Sequence, residues 1–322
     1  GQGLITRLEQ AVSATDTIIV TGARVTDLFL SEGGDVIGAR CQRPDGAIEA
    51  IAARRTILAC NGYGGNPDLV ARHIPEMKDA LYFGHPGNQG EAILWGEKIG
   101  AVPTHLSGYQ GHGSVAHPHG ILVTWALMME GGIQVNLEGR RFSNEHQGYS
   151  EQAVAVLAQP EQTAFNIFDG RLQQLGRKFE DFRNAEENGA VIVADSPAEL
   201  ATRIGIDSDA LEATLDEAGL FAESGEPDGF GRQFSADTLL RAPYCAVRVT
   251  GALFHTQGGL LVDDHARVKR ADGSVFDSLF ACGGAACGVS GPDVSGYLSG
   301  NGLLTALALG HLAGGCVGRK GG

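Results

Sequence analysis

The sequence lacks the features that mark membrane, secreted and metal-binding proteins. We find no apolar run long enough to span a bilayer and no secretory signal, although the chain begins at Gly1 rather than Met. Its six cysteines show no CxxC spacing of the kind that holds a metal, so they indicate reduced and mostly buried thiols. We therefore expect a cytoplasmic location and no membrane partner.

Positive charge is also scarce. The chain has 24 Lys and Arg residues against 38 Asp and Glu, which gives a formal net charge of −14. This balance disfavours nucleic acid and anionic membrane surfaces as partners, because both repel an acidic protein. A small anionic substrate is still allowed, since a local basic pocket can lie within an acidic protein.

Glycine, by contrast, is abundant at 48 of 322 residues. Glycines cluster around 62–65, 283–291 and 296–302 and show no collagen-like period. Clustered glycine is needed where the backbone turns tightly or approaches another group closely, and a bound nucleotide is one such group. Ordinary turns account for most of the other glycines.

The order of strand-like runs predicts a mixed α/β fold in which one domain interrupts another. Strand patterns and turns fill the beginning of the chain and return near its end, whereas the middle is more mixed. We predict a discontinuous domain formed by 1–106 and 255–322, with a cap domain of 107–254 inserted into it.

Several local elements are also predicted. The run from Asp16 to Leu30 indicates two strands split at Gly22, and GGIQVNLEGRRF indicates a hairpin that turns at Leu137–Gly139. Thr56–Cys60 indicates a buried strand. Helical patterns cover 3–13, Pro67–His73, Gln89–Ile99, 150–158, 196–222 and Leu303–Leu312.

The C-terminal run combines a buried strand, a glycine-rich loop and a helix. The strand ends at Cys282, and Asn301 is a predicted cap for a helix that begins at Gly302. A helix N-terminus has unpaired N–H groups and partial positive charge, which suits an anion or the negative charge of a reduced flavin at N1 and C2=O. A purely structural strand–loop–helix corner is the alternative.

Six segments, in the same order along the chain, resemble the fumarate reductase flavoprotein superfamily. They are ARRTILACNGYGGN, HPGNQGEAI, SGYQGHGS, GGIQVNLEGRRFSNE, FHTQGGLLVDDHARV and SLFACGGAACGVSGPDVSGYLSGNGLL. Each is moderately specific, and together they cover nearly the whole chain. The resemblance implies FAD as cofactor and a Rossmann-like FAD-binding domain, discontinuous in sequence, with an inserted substrate-binding cap.

The resemblance also implies which residues bind FAD. They lie in the first strand pair, in the loop after the Thr56 strand, in the turn before the second helix and around the C-terminal helix start. The implied residues are Val25, Ala59, Cys60, Asn61, Gly62, Gly90, Glu91, Gly283, Gly284, Gly300, Asn301, Gly302, Leu303 and Leu304.

The family's G-x-G-x-x-G fingerprint has no usable counterpart. Gly111–Ala116 is a near match, but no clear strand precedes it and no long helix follows it. We expect the segment that carries the fingerprint to be absent from this chain, either removed or encoded on a separate polypeptide.

Four departures from the fumarate reductase pattern bear on the reaction. Tyr149 stands where the proton-donating arginine is expected, and Tyr297 stands where a substrate-binding arginine is expected. Trp125 and Met128 replace the Glu and Arg of the proton relay. Without these cations fumarate reduction is disfavoured. The two tyrosines are instead similar to those of ketosteroid 1-dehydrogenases, and the pattern Tyr297–Leu303 also resembles tricarballylate dehydrogenases.

The resemblance assigns roles to four side chains. Tyr149 exchanges the proton alpha to a carbonyl, and Tyr297 polarises the carbonyl oxygen together with backbone N–H groups. His112 and His255 match the histidines that hold a substrate carboxylate in fumarate reductases, with ordinary core histidines as the alternative. His112 is too loosely spaced from His117 and His119 for a zinc or iron site, so no metal is predicted.

These residues predict an FAD-dependent dehydrogenase or reductase that acts on a C–C bond alpha,beta to a carbonyl or carboxylate, with hydride passing to or from flavin N5. The expected partners are a small carbonyl or carboxylate substrate and an unknown electron acceptor. One alternative is an amine or amino-acid oxidase of the L-aspartate oxidase type, which releases hydrogen peroxide and ammonia. Another is a non-catalytic ligand-binding fragment without flavin.

Overall fold

The computed structural model describes residues 2–318 and mixes helices and strands along the whole chain. The α-helices of this part are α1 (Gln2–Ser13), α2 (Pro67–His73), α3 (Glu91–Ile99), α4 (Ala126–Met129), α5 (Tyr149–Leu157), α6 (Gly170–Gly176), α7 (Glu180–Glu187), α8 (Pro197–Ile204), α9 (Ser208–Ser224) and α10 (Asn301–Gly318). The strands are β1 (Arg24–Leu30), β2 (Val36–Gln42), β3 (Ile48–Ala52), β4 (Thr56–Leu58), β5 (Leu81–Tyr82), β6 (Pro103–Thr104), β7 (Tyr109–Ala116), β8 (Ile121–Leu122), β9 (Ile133–Val135), β10 (Thr163–Asp169), β11 (Ile192–Ala194), β12 (Tyr244–Thr256), β13 (Gly259–Leu260), β14 (Arg267–Lys269) and β15 (Val275–Ala281). The mixed content agrees with the predicted α/β class.

A seven-stranded sheet occupies the middle of the chain. Its order is β8–β7–β12–β10–β9, and β11 and β5 also pair with β12. The long strand β12 runs antiparallel to both β10 and β7, with Ala252 opposite His112. Every residue of β10 is buried, and its polar Asn166 is paired there with Ser114 and Gln134.

A smaller sheet joins the two ends of the chain. Strands β4 and β15 lie in parallel, with Leu58 opposite Ala281, and β14 pairs antiparallel with β15. Leu58 and Leu279 pack with Trp95 of α3 in one apolar cluster. Because parallel strands end at the same edge of a sheet, the loops that follow Leu58 and Ala281 come together.

Cap residues decide where the helices of the middle segment begin and end. The predicted helix over 196–222 is two helices, because Gly205 (φ 75°) ends α8 and the Asp207 side chain accepts a hydrogen bond from Ala210 N at the start of α9. Apolar periodicity continues across this break, so the periodicity alone does not reveal it.

Two predicted strands do not form. Of the run from Asp16 to Leu30 only Arg24–Leu30 is a strand, and Ile18 is 83% exposed. The predicted hairpin keeps its first arm, β9, and its turn, with Asn136 N donating to Arg140 O. Its second arm forms no strand, and Arg141 of this arm pairs with the buried Glu145 instead.

The last helix also differs from the prediction. It spans Asn301–Gly318, so Asn301 is its first residue rather than its cap, and the Asn301 Nδ2 group donates to Ser290 Oγ at 2.9 Å. Over residues 2–318, α10 is the helix that is long and apolar enough to cross a membrane, with 17% of it buried. The prediction that no run reaches that length is therefore wrong, although one such helix is weak evidence for a membrane span.

A buried ion cluster fixes the loop that leads into α5. The Glu145 carboxylate accepts hydrogen bonds from Arg141 Nη2 at 2.7 Å and from Arg232 Nη1 at 2.8 Å. Arg141 also pairs with Asp228. Burial by itself raises the pKa of Glu145, but the hydrogen bond from Arg141 and the charges of both arginines outweigh it and hold that pKa below its ordinary value. The cluster therefore anchors the turn that precedes Tyr149.

We expect Glu145→Gln to lower the free energy of unfolding by about 3 kcal/mol, because the buried Arg232 guanidinium loses its carboxylate and that of Arg141 keeps only Asp228. The matched control is Glu49→Gln, which breaks an exposed pair with Arg43 and should cost less than about 1 kcal/mol. Denaturant unfolding measures both losses. Similar losses in the two variants would contradict a stabilising role for the cluster.

Candidate active site

A cavity of about 510 Å³ lies where the parallel strands β4 and β15 end and α10 begins. Its walls come from the loops after these two strands, from the end of β12 and from the first turns of α10. The lining residues are Ala59, Asn61, His255, Thr256, Gln257, Cys282, Gly283, Gly284, Ala286, Gly288, Gly302, Leu303, Thr305 and Ala306. The carboxyl edge of parallel strands is where α/β sheets usually bind ligands.

His255 is held in this cavity by a directed chain of hydrogen bonds. Asn301 Nδ2 donates to Ser290 Oγ at 2.9 Å, and Ser290 Oγ donates to Gln257 Oε1 at 3.0 Å. Gln257 Nε2 then lies 3.0 Å from His255 Nδ1 and 3.2 Å from its Nε2. His255 Nδ1 also lies 3.2 Å from the Thr256 carbonyl oxygen, which only accepts, so the proton lies on Nδ1 and Nε2 accepts from the amide N–H. The imidazole is therefore neutral. Burial lowers the pKa of His255 in the same sense, against a smaller opposite effect of the Thr256 carbonyl.

His112 is buried in β7 and is also neutral. Ser114 N donates to His112 Nδ1 at 3.2 Å, so this nitrogen carries no proton and the proton lies on Nε2. Burial lowers the pKa of His112 to about 3. At neutral pH the ring can donate one hydrogen bond to a ligand but brings no positive charge.

The two predicted tyrosines meet between these histidines. Tyr149 is the first residue of α5 and Tyr297 precedes α10, and their ring centroids are 6.1 Å apart. The His112 ring is 5.0 Å from that of Tyr149, and the His255 ring is 5.9 Å from that of Tyr297. Burial, together with the neighbouring Tyr149, raises the pKa of Tyr297 to about 12, so its hydroxyl stays protonated. The structure thus brings all four predicted side chains into one cluster.

The surroundings of this cluster are aromatic rather than cationic. Trp125 packs edge-on against His112 at 5.8 Å, and its buried Nε1 has no partner within residues 2–318. None of the described residues that line the cavity is Arg or Lys. The buried guanidinium groups of Arg141 and Arg232 are held by Glu145 instead. The sequence alone does not mark Gln257 and Ser290, although Gln257 stands two residues after His255 in the FHTQGG motif.

Two other features lie outside this cluster. A cavity of about 700 Å³ beside α9 contains none of the predicted site residues. Asp263, Asp264 and His265 form the group in the described part of the chain that could hold a metal ion, but both Asp264 and His265 are exposed, and exposed acidic groups of this kind are common without one.

The chain matches known proteins along almost its entire length. The sequence pattern of the FAD binding domain family covers residues 1–303. The chain belongs to this family. FAD is therefore confirmed as the predicted cofactor, and the resemblance described above is confirmed with it.

Individual relatives share this family with the chain. It is 28% identical to a probable fumarate reductase of Shewanella frigidimarina, over 98% of this chain and 52% of that protein. It is 27% identical to a 3-oxosteroid 1-dehydrogenase of Mycobacterium tuberculosis, over 97% of this chain and 62% of that protein. The open conformation of a flavocytochrome c3 fumarate reductase matches with a TM-score of 0.79 and 27% identity, over 97% of this chain and 54% of that one. The chain spans about half the length of the curated relatives it matches.

The cavity suits the flavin of an FAD-binding domain, because parts of its wall are bare backbone. A Cβ at Gly284 would lie 2.2 Å from Asn61 Oδ1 and 2.7 Å from Gly62 N, and one at Gly302 would lie 2.8 Å from the His255 ring. Close packing within the protein thus requires glycine at Gly284 and favours it at Gly302. The first amides of α10 add partial positive charge beside the same wall.

The predicted FAD residues divide into two groups. Those that line the cavity are Ala59, Asn61, Gly283, Gly284, Gly302 and Leu303. The others lie outside its lining: Cys60 and Gly62 in the loop after β4, Gly90 and Glu91 at the start of α3, Gly300, Asn301 and Leu304 at the start of α10, and Val25 against the apolar cluster of the smaller sheet.

We expect Gly284→Ala to weaken FAD binding at least about tenfold, because the added methyl group forces apart the two loops that form the cavity wall. Gly310→Ala is the matched control in α10, since its Cβ meets nothing within 4 Å. Titration of the apoprotein with FAD, followed by flavin absorbance, measures both affinities. Unchanged affinity in Gly284→Ala would show that this wall does not contact the cofactor.

The low pKa of His112 predicts acid sensitivity. The pKa is about 3 when folded against an ordinary value of 6.5, so the unfolded state binds the extra proton between these values. Stability is therefore complete above pH 6.5 and falls as the pH drops towards 3, by about 2 kcal/mol between pH 7 and pH 5. His112→Asn keeps an acceptor for Ser114 N and should remove this part of the loss. Denaturant unfolding of both proteins at the two pH values tests it, and an equal loss would refute it.

Proposed function

We propose that this chain forms the catalytic part of an FAD-dependent oxidoreductase that dehydrogenates or reduces a C–C bond alpha,beta to a carbonyl group. The observation that carries the proposal is the cluster of Tyr149, Tyr297, His112 and His255, of which His255 also lines the glycine-walled cavity. An acid–base pair beside a flavin site is the arrangement that such chemistry requires.

The proposal includes the division of the chain into two domains. Residues 1–106 and 255–322 would form a discontinuous Rossmann-like FAD-binding domain, and 107–254 would form the cap. The parallel pairing of β4 with β15 supports it, because it joins the two outer segments in one sheet. The seven-stranded sheet supports it as well, since nearly all its strands come from the middle segment.

The side chains divide the proton chemistry between them. The Tyr297 hydroxyl stays protonated and would donate a hydrogen bond to the carbonyl oxygen, which stabilises the developing enolate. Tyr149, whose ring neighbours that of Tyr297, would take or return the proton on the carbon alpha to that carbonyl. His112 Nε2 would donate a hydrogen bond to a substrate oxygen. FAD, when bound, accepts or supplies the hydride at the beta carbon.

The charge of the site favours a carbonyl compound over a dicarboxylate. Two negative charges need cations that outweigh the loss of their hydration, and both His112 and His255 are neutral hydrogen-bond acceptors within the protein. The described lining of the cavity offers no Arg or Lys either. The substrate proposed here is therefore closer to that named for the 3-oxosteroid 1-dehydrogenase relative than to fumarate.

Two parts of the proposal concern the surroundings. We place the protein in the reducing cytoplasm, supported by the six cysteines, all of which are free thiols. The reaction also needs an electron acceptor or donor, which returns the flavin to its starting redox state after each turnover.

Tyr149→Phe and Tyr297→Phe should each lower turnover at least about a hundredfold while FAD stays bound, because each removes one acid–base or hydrogen-bonding hydroxyl. Turnover of a cyclic enone and of fumarate is followed with an artificial electron carrier, and the visible flavin band reports bound FAD. Tyr244→Phe, in a separate apolar cluster, is the control and should keep full turnover. Near-normal turnover in both site variants would refute the assignment.

A further inference from the structure

Four aromatic rings form a continuous stack that passes through the cluster. Phe83 stacks on Phe254 with centroids 4.8 Å apart and an interplanar angle of 15°. Phe254 stacks on His112 at 5.3 Å and 20°, and His112 stacks on Tyr149 at 5.0 Å and 28°. The imidazole thus stacks with both a phenyl ring and the phenol that the proposed reaction uses.

Four neighbouring groups hold the His112 ring in position. Trp125 packs against it edge-on at 89°, and Ser114 N holds its Nδ1. Phe254 and Tyr149 both stack on it in near-parallel orientation. A ring held in this way transmits the placement of one stacking partner to the other.

The backbones that carry these rings are tied together on both sides of the stack. Phe83 N donates to Leu253 O at 2.8 Å, which joins Phe83 to the strand of Phe254. Gly111 N donates to Ser150 Oγ at 2.8 Å, which joins β7 to the first turn of α5. A Cβ at Gly111 would lie 2.8 Å from Ser150 O, so helix and strand are already in close contact. The backbone of Tyr149 is therefore held in place, and stacking on His112 limits the rotation of its side chain.

We propose that Phe254 is a positioning residue that sets the placement of the Tyr149 phenol through the His112 ring, with Phe83 stacked on Phe254 as its support. The inference rests on the proposed function of Tyr149 in proton transfer. Stacked aromatic pairs hold an offset, near-parallel geometry that an aliphatic side chain does not reproduce. Proton transfer requires hydrogen-bond contact, and a shift of about 1 Å can cost a hundredfold in rate.

Phe254→Leu is the first test, because it keeps an apolar side chain but removes the ring. We expect kcat to fall about tenfold, with KM for the enone and the FAD affinity unchanged. The pH profile of kcat should shift as well, since the phenol moves relative to His112. Phe254→Tyr keeps the ring and should restore most of kcat. Phe165→Leu, in an apolar cluster without site residues, is the control for lost packing and should leave kcat unchanged.

A double variant shows whether Phe254 acts through Tyr149. If it does, adding Phe254→Leu to Tyr149→Phe should cause little further loss of kcat, because the group being positioned is already gone. Losses that multiply would overturn the proposal. So would a tenfold rise of KM at constant kcat in Phe254→Leu, which would mean that Phe254 contacts the substrate directly.

The milder variant Phe83→Leu keeps the test decisive if Phe254→Leu does not fold. It removes the outer ring, which is 38% exposed, and should lower kcat in the same direction by about twofold to threefold. Unchanged kcat and an unchanged pH profile would count against the stack as a positioning device. Tyr149→Phe distinguishes failure of the proposed function from failure of this inference. Normal turnover in Tyr149→Phe would show that the Tyr149 hydroxyl takes no part in the reaction, which would refute the proposed function itself.

Discussion

The antiparallel pairing of β12 with β7 is the constraint on which the site depends. It sets Ala252 opposite His112, and two neighbouring side chains further along β12, Phe254 and His255, then lie in different parts of the site. Phe254 contacts the His112 ring, whereas His255 lines the cavity beside α10. Successive side chains of a strand point to opposite faces, so one strand end reaches both the aromatic stack and the cofactor wall. A register slip of one residue would move both side chains away from these contacts.

Electrostatics divide the molecule into a region of buried charge and a region of buried neutral groups. The first is the ion cluster around Glu145, where carboxylates match the two buried arginines, Arg141 and Arg232. The second contains His112 and His255, both neutral because each accepts an N–H hydrogen bond. The charged cluster anchors the turn before Tyr149 and lies outside the lining of the cavity. The buried charges therefore stabilise the turn before Tyr149 from outside the site, whereas hydrogen bonds and aromatic packing position the side chains within it.

Much of this arrangement could be predicted from the sequence, and the reasons differ between residues. Tyr149, Tyr297, His112 and His255 stand in motifs whose order along the chain is informative, and the structure brings them together. Helix α2 follows from Asn66 and Pro67, which are local signals.

The features that the sequence did not indicate depend on contacts distant in the chain. The Phe83–Phe254 stack joins the residue that follows β5 to a residue of β12, and no spacing rule reveals it. The start of α10 is another case. Asn is a residue type that often caps helices, but the Asn301 Nδ2 group donates a hydrogen bond to Ser290 Oγ. That hydrogen bond begins the chain that ends at His255 through Gln257. The helix end beside the cofactor wall thus also orients a histidine of the proposed substrate site. Any shift of α10 on FAD binding would change the placement of His255, so affinity for cofactor and substrate would be thermodynamically linked.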